Sequence, residues 1–119
     1  MKEYNQTVLD FDVIEGLREL GGEDDPGLVL ELIEMFLDDA PNHLDDMMMS
    51  MKSSNAELMQ RSVHTLKSSS ANMGAIRLPQ ICNEMEQLAQ NADINGYRKL
   101  TSTCLDAFKE VDAALRQIS

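Results

Sequence analysis

A histidine and a lysine one helical turn apart are the residues of this sequence whose types and spacing best suit chemistry. His64 and Lys67 stand in the run HTLKSSSANMGA, residues 64–75. A free imidazole titrates at about pH 6.5, so near neutral pH one ring nitrogen can attack phosphorus without a dedicated base. A lysine ammonium group at i+3 can stabilise phosphoryl oxygens. The pair is therefore a candidate phosphoryl acceptor, whereas His43, beside Pro41 on an acidic segment, is interpreted as a solvated side chain.

Helical periodicity places His64 on an exposed face. If residues 56–73 form one helix, its apolar stripe consists of Met59, Val63, Leu66, Ser70 and Met73. His64 then points more than a quarter-turn away from the centre of that stripe. The residues that follow on its own face are small, which lets another protein approach the ring. We predict that the docking residues are Gln60, Arg61, Ser68, Ala71 and Ala75.

The charge of the chain is uneven. Ten basic and 21 acidic residues give a net charge of −11, and such a surface repels nucleic acid and anionic lipid. Residues 52–77 differ, because four basic residues and one acidic residue give them +3, while the remainder carries −14. His64 therefore lies in a locally basic segment. That segment suits an acidic pocket on a partner protein, or a phosphoryl group on the histidine itself.

Several functional signals are missing from the sequence. There is no Gly-rich phosphate loop and no evident Asp/Glu metal pair, so nucleotide and magnesium must come from another protein. There is also no nucleophile–base pair, so we expect a carrier without a cofactor of its own rather than a kinase or hydrolase. The first residues lack the apolar core of a signal peptide, and no apolar run approaches the ~20 residues that cross a bilayer. We expect a cytoplasmic, monomeric protein.

Three further clusters are interpreted as ordinary packing. The methionines of residues 47–51 are soft ligands that suit copper or a promiscuous groove, but we expect no supporting cysteine or histidine nearby. Cys82 and Cys104 belong to no CxxC motif and are expected to be reduced core residues rather than zinc ligands. The serines of residues 68–70 could accept phosphate, yet small hydroxyl residues also let helices approach closely.

Start and stop signals predict one domain over residues 12–119, preceded by a flexible lead-in over residues 1–11. Asp12 is expected to cap a short first helix, which Gly21 and Gly22 end. This helix is predicted to cover one end of the domain.

The second helix is predicted to begin with Asp25 as its N-cap and Pro26 at its first position. Its apolar register resumes beyond Pro41, so a kink near Ala40 is favoured over a break. The predicted stripe is Val29, Ile33, Phe36, Ala40, Leu44, Met47 and Met51.

Three more helices follow. Residues 53–55 start the central helix, and Gly74 ends it as a left-handed residue. The fourth helix covers residues 78–90, and Asp93 or Asn95 caps the fifth. Their predicted stripes are Leu78, Ile81, Cys82, Met85, Leu88 and Ala89, then Leu100, Cys104, Phe108 or Ala107, Val111, Leu115 and Ile118. Four long helices with short connections predict an all-α fold, an antiparallel four-helix bundle with a short additional N-terminal helix.

The run of residues 64–75 resembles the HxLKGxxxxxGA-type signature of histidine-containing phosphotransfer domains, the carriers of bacterial and plant phosphorelays. Residues 81–86 (ICNEME) and 34–41 (EMFLDDAP) are also similar to segments of that family, and the resemblance extends over about residues 10–118. One residue departs from the signature, because Ser68 stands where many members have glycine.

The resemblance implies a four-helix bundle whose histidine accepts a phosphoryl group from one receiver-domain aspartate and passes it to another. His64 matches the phosphorylated histidine, Lys67 the lysine that steadies the phosphoryl group, and Gly74 the turn glycine. Glu86 matches a polar position that in some members hydrogen-bonds the other ring nitrogen. The implied partners are receiver domains of a hybrid sensor kinase and a response regulator, with magnesium on the receiver. The alternative is a helical adaptor that uses the same face without phosphorylation.

Overall fold

The computed structural model describes residues 8–118, which form five helices. They are α1 (Phe11–Gly21), α2 (Leu28–Lys52), α3 (Ala56–Asn72), α4 (Arg77–Gln90) and α5 (Ile94–Ile118). The all-α prediction is confirmed. The predictions for residues 1–7 and for Ser119 lie outside the described residues.

The four long helices form the bundle in chain order. α3 packs between α2 and α4, α5 packs against α4 and closes the ring against α2, and α1 lies on α2. Connections of three or four residues make consecutive helices antiparallel. All seven predicted stripe residues of α2 are buried, as are the five of the central helix. On α5 the alternative Ala107 is buried while Phe108 is half-buried and contacts Phe36.

Two helix starts were predicted wrongly. α1 is capped by Asp10, whose carboxylate accepts a hydrogen bond from the backbone N–H of Asp12 at 3.0 Å, so Asp12 lies in the first turn. α2 begins after a turn closed by a bond of 3.1 Å from the Leu28 N–H to the Asp25 carbonyl, and Gly27 is the N-cap. The turn contains Pro26, so the proline precedes the helix rather than opening it.

α2 runs unbroken through Pro41, as the resumed register predicted. Asn55 caps α3 by accepting from the Leu58 N–H at 3.1 Å. Asp93 caps α5, because its carboxylate accepts a hydrogen bond from the Gly96 N–H at 2.9 Å. Of the two predicted caps, Asp93 and Asn95, the structure therefore has Asp93. Cys82 and Cys104 are buried and unbridged. Within residues 8–118, no helix has both the length and the apolar composition to span a membrane.

The end of the predicted lead-in contacts the helical domain. Leu9 is buried and pairs with Ala75 in an isolated antiparallel bridge, and the Asp10 N–H donates to the Gly74 carbonyl at 2.7 Å. Gly74 has a φ of +88°, as its predicted role at the helix end requires. A Cβ on it would lie 2.9 Å from the Asp10 carbonyl oxygen. The glycine therefore lets the chain before α1 lie against the connection between α3 and α4.

Candidate functional site

His64 lies near the middle of α3, and 57% of its side chain is exposed. Its chain neighbour Val63 is buried in the core, and so is Leu66. These two side chains fix the rotation of α3 about its axis, so the imidazole cannot turn inward. The predicted exposure of the ring is confirmed.

One carboxylate on α4 holds both residues of the candidate pair. Glu86 Oε2 lies 2.6 Å from His64 Nδ1, and Glu86 Oε1 accepts a hydrogen bond from Lys67 Nζ at 2.5 Å. Lys67 also reaches Asn83 Oδ1 at 3.5 Å. The Glu86 side chain is only 10% exposed, so it is largely shielded from water. The three side chains form one connected cluster across the interface between α3 and α4.

The charge of Glu86 determines which nitrogen of His64 carries a proton. Burial on its own raises the pKa of Glu86, but the hydrogen bonds from Lys67 and His64 outweigh burial and leave this pKa below its usual value. The carboxylate is therefore ionised at neutral pH and can only accept hydrogen bonds. Nδ1 of His64 must donate in this contact, so in the neutral ring the lone pair is on Nε2.

Nε2 has no hydrogen-bond partner among residues 8–118, on a ring that is mostly exposed. The nucleophilic Nε2 is thus exposed to solvent. Glu86 fixes the tautomer of the ring and also binds the Lys67 ammonium group. The arrangement can form a bond to an electrophile delivered from outside.

Two of the five predicted docking residues, Gln60 and Arg61, line a depression with His64, and Ser68 and Ala71 follow at i+4 and i+7 on the same helix. Arg61, Ser68 and Ala71 are exposed and Gln60 is half-buried. The prediction for Ala75 is wrong, because α3 ends before it and the residue is buried in the bridge with Leu9. The helical register was extended one turn too far.

The predicted basic patch is smaller in space than in sequence. Lys67 is paired with Glu86, and Arg77 is paired with Glu110 across to α5 at 3.2 Å. Arg61 remains, on the wall of a shallow depression beside the imidazole that Glu57, Gln60 and Glu86 also line. Cross-helix pairs cannot be read from a local charge count.

Two features of the site were missed by sequence reasoning. Asn83 contacts Lys67, and its spacing of three residues from Glu86 on α4 is the signal that places both on one face. An apolar groove also opens between α1, α2 and the end of α3, beside the docking residues. Its lining consists of Leu17, Leu32, Met35, Phe36, Asp39, Ser69, Asn72 and Met73. In the sequence, Leu32 and Met35 lie off the predicted α2 stripe, and these unassigned apolar residues were the signal for the groove.

Comparisons with known proteins agree on one family. The model of the Hpt domain matches residues 31–119. Histidine-containing phosphotransfer protein 5 of Arabidopsis thaliana is 30% identical over 112 residues, covering 92% of this chain and 66% of that protein. Histidine-containing phosphotransfer protein 2 of rice, Oryza sativa subsp. japonica, is 29% identical over 97 residues, covering 78% and 64%. The chain thus spans just under two thirds of the length of these two relatives.

Solved structures show the same fold. Histidine-containing phosphotransfer protein B from Pseudomonas aeruginosa superposes with a TM-score of 0.85 at 25% identity, covering 95% of both chains. A rice protein described as a histidine-containing phosphotransfer protein superposes with a TM-score of 0.83 at 24% identity, covering 94% of this chain and 79% of that one.

Proposed function

Because the chain belongs to the Hpt domain family, we propose that it is a phosphorelay intermediate that carries a phosphoryl group on His64. The donor is the phosphorylated aspartate of a receiver domain in a hybrid sensor kinase. The acceptor is the receiver aspartate of a response regulator. The observation that carries the proposal is the exposed imidazole whose Nδ1 is held by Glu86 at 2.6 Å.

The chemistry needs no base from this chain. The Nε2 lone pair attacks the phosphorus, and the P–N bond forms as the P–O bond to the aspartyl carboxylate breaks. The proton on Nδ1 stays where it is, so the ring becomes positively charged and the adjacent Glu86 carboxylate stabilises that charge. Onward transfer reverses these steps on a second aspartate. Each half-reaction conserves protons within the site.

Lys67 stabilises the transferring group. Its ammonium group is tethered to Glu86 one helical turn from the histidine, so it needs little movement to meet phosphoryl oxygens above the ring. Magnesium belongs to the receiver, and this chain contributes no cofactor. It acts as a carrier in the cytoplasm rather than as an autonomous enzyme.

The receiver docks on the face made by Gln60, Arg61, Ser68 and Ala71. Ser69 and Asn72, which line the apolar groove, continue this face toward α1 and α2. A partner that covers the ring and the groove together would bury apolar surface while leaving Arg61 to face its acidic pocket. The hydroxymethyl group of Ser68 is exposed and adds little bulk.

Incubation with a phosphorylated receiver domain tests the proposal. Wild-type protein is expected to acquire acid-labile, base-stable label, His64→Gln none, and His43→Gln, the matched control at the second histidine, as much as wild type. Label retained in His64→Gln would refute the assignment. Signalling that persists in cells carrying His64→Ala would instead favour an unphosphorylated adaptor.

A further inference from the structure

The side of the bundle opposite the histidine carries an open apolar seam. His64 and Glu86 lie where α3 meets α4, so in the ring of four helices the contact between α2 and α5 is on the far side. Leu30 is 43% exposed near one end of this seam and Met48 is 41% exposed near the other. Leu37 and Leu105 are half-buried between α2 and α5. The seam is therefore lined with apolar side chains that the fold leaves partly uncovered.

The two ends of the α2–α5 seam have opposite charge. Glu34 and Asp38 line the end near Leu30 together with Arg116, whose charge is already paired with Asp112 at 3.1 Å. Lys52 and Arg98 line the end near Met48. Both are exposed, and neither has an ion pair within the described part of the chain. At 1.5 Å per residue, Lys52 lies about 24 Å along α2 from the two acids.

In place of the monomer expected from the sequence, we propose that the α2–α5 seam is the interface of a homodimer in which two copies pack antiparallel about a two-fold axis near the middle of the seam. This symmetry sets the basic end of each copy over the acidic end of the other, so both ends are complementary at once. The partly exposed side chains of Leu30, Leu37, Met48 and Leu105 are then covered by the other copy. A parallel arrangement would set like charges together on a chain that already carries −11.

The dimensions of the seam set the strength of the dimer. A strip about 27 Å long and two helices, about 20 Å, wide offers roughly 500 Å² per copy. The total of about 1,000 Å² is at the lower end for specific interfaces, so association is weak and concentration-dependent. The histidine side remains free, and dimerisation needs no phosphorylation. Dimerisation through the seam is therefore independent of phosphoryl transfer by His64.

Sedimentation velocity of the full chain, over micromolar to high micromolar concentrations at low and high salt, tests the dimer. Wild type is expected to pass from monomer to dimer, with the transition moving to higher concentration as salt rises. The double variants Lys52→Glu/Arg98→Glu and Glu34→Lys/Asp38→Lys are each expected to remain monomeric. Mixed in equal amounts they are expected to form a heterodimer, because every end then meets its opposite charge.

A control separates this contact from general charge repulsion. Arg18→Glu/Lys99→Glu makes the same change in net charge at exposed positions outside the seam lining, and it is expected to dimerise nearly as wild type does. Circular dichroism checks that each variant is folded. A wild type that stays monomeric throughout would overturn the proposal and leave the seam to another protein. The proposal would also be overturned if the charge-reversed double variants still formed dimers, or if the two variants formed no heterodimer when mixed.

Discussion

At the level of single residues, Glu86 determines what His64 can do. Its two oxygens hold the imidazole and the ammonium group at the same time, so one buried carboxylate fixes the tautomer and positions the cation. Along the sequence, Glu86 is 19 residues from Lys67 and 22 residues from His64. Helical phase predicted the exposure of His64, and the resemblance indicated Glu86 only as a ring contact. Its second bond, to Lys67, depends on how α3 and α4 pack and has no signature along the chain.

Lys67→Ala is expected to slow phosphoryl transfer by about 10- to 100-fold, since a hydrogen bond to a charged group contributes roughly 1.5–3 kcal/mol. Receiver affinity is expected to change much less, because the ammonium group acts on the transferring phosphoryl group. Rapid-quench transfer and a binding titration measure the two effects. Comparable losses in both would assign Lys67 to docking instead.

Glu86→Gln is expected to make the free energy of unfolding less dependent on pH in the acidic range. The pKa of Glu86 is lower in the folded chain than its usual value of 4.5. The ionised carboxylate therefore stabilises the native state fully above the unfolded pKa. That stabilisation is lost as the pH falls through the pKa of the folded state. At pH 7 the free energy of unfolding of the variant is expected to be about 1 kcal/mol lower than that of wild type. The difference is modest because Lys67 and His64 are partly solvated. Urea titrations should show this difference shrinking below about pH 4.5.

Glu19→Gln is the control for that measurement. Glu19 is an exposed carboxyl on α1 without an ion pair in the described region, so the substitution should change stability little at any pH. A gap between wild type and Glu86→Gln that stays constant down to pH 3 would show that the ionised carboxylate does not stabilise the fold.

At the level of helices, periodicity predicted the elements better than their starts. Every long helix was predicted because its apolar stripe repeats at three and four residues. The N-caps of α1 and α2 each differ by two residues from the predicted ones, Asp10 instead of Asp12 and Gly27 instead of Asp25, because composition does not reveal the backbone turns that precede these helices. Ala75 was misplaced for a related reason, since the bridge with Leu9 is a tertiary contact.

Gly74→Ala is expected to lower the free energy of unfolding by about 2 kcal/mol, because the residue has positive φ and its Cβ would press on the Asp10 carbonyl oxygen. Gly16→Ala is the matched control. It lies inside α1 with nothing within 4 Å of the added Cβ, so it should raise stability by about 0.5–1 kcal/mol. Urea unfolding of both variants measures this. Equal effects would mean that the contact between the chain before α1 and the α3–α4 connection contributes little.

At the level of the whole molecule, charge is organised by faces rather than by segments. Lys67 and Arg77 are paired with carboxylates within the fold, whereas Arg61 lies beside the histidine and Lys52 and Arg98 lie on the far side. The sequence predicted the bundle but not this division, because each pairing joins helices that only the fold brings together. If a receiver docks on the face around His64, as proposed, Arg61 is the basic residue placed to attract its acidic pocket.

Arg61→Glu is expected to slow association with a receiver domain several-fold at low salt, and the difference should shrink as salt is added. Lys99→Glu makes the same charge change at an exposed position on α5 and should alter the rate much less. Stopped-flow measurements at several ionic strengths give both rates. Equal slowing by the two substitutions would show that net charge, rather than the face around His64, governs the encounter.

In the proposed mechanism, Nε2 of His64 accepts the phosphoryl group while Nδ1 stays protonated against Glu86. Nitrogen-15 NMR of histidine-labelled protein, before and after incubation with a phosphorylated receiver domain, tests it most directly. We expect the proton of the His64 ring on Nδ1 at the start, phosphorus coupling at Nε2 afterwards, and unchanged resonances of His43. Phosphorus coupling at Nδ1, or phosphorylation that leaves the His64 resonances unchanged, would contradict it.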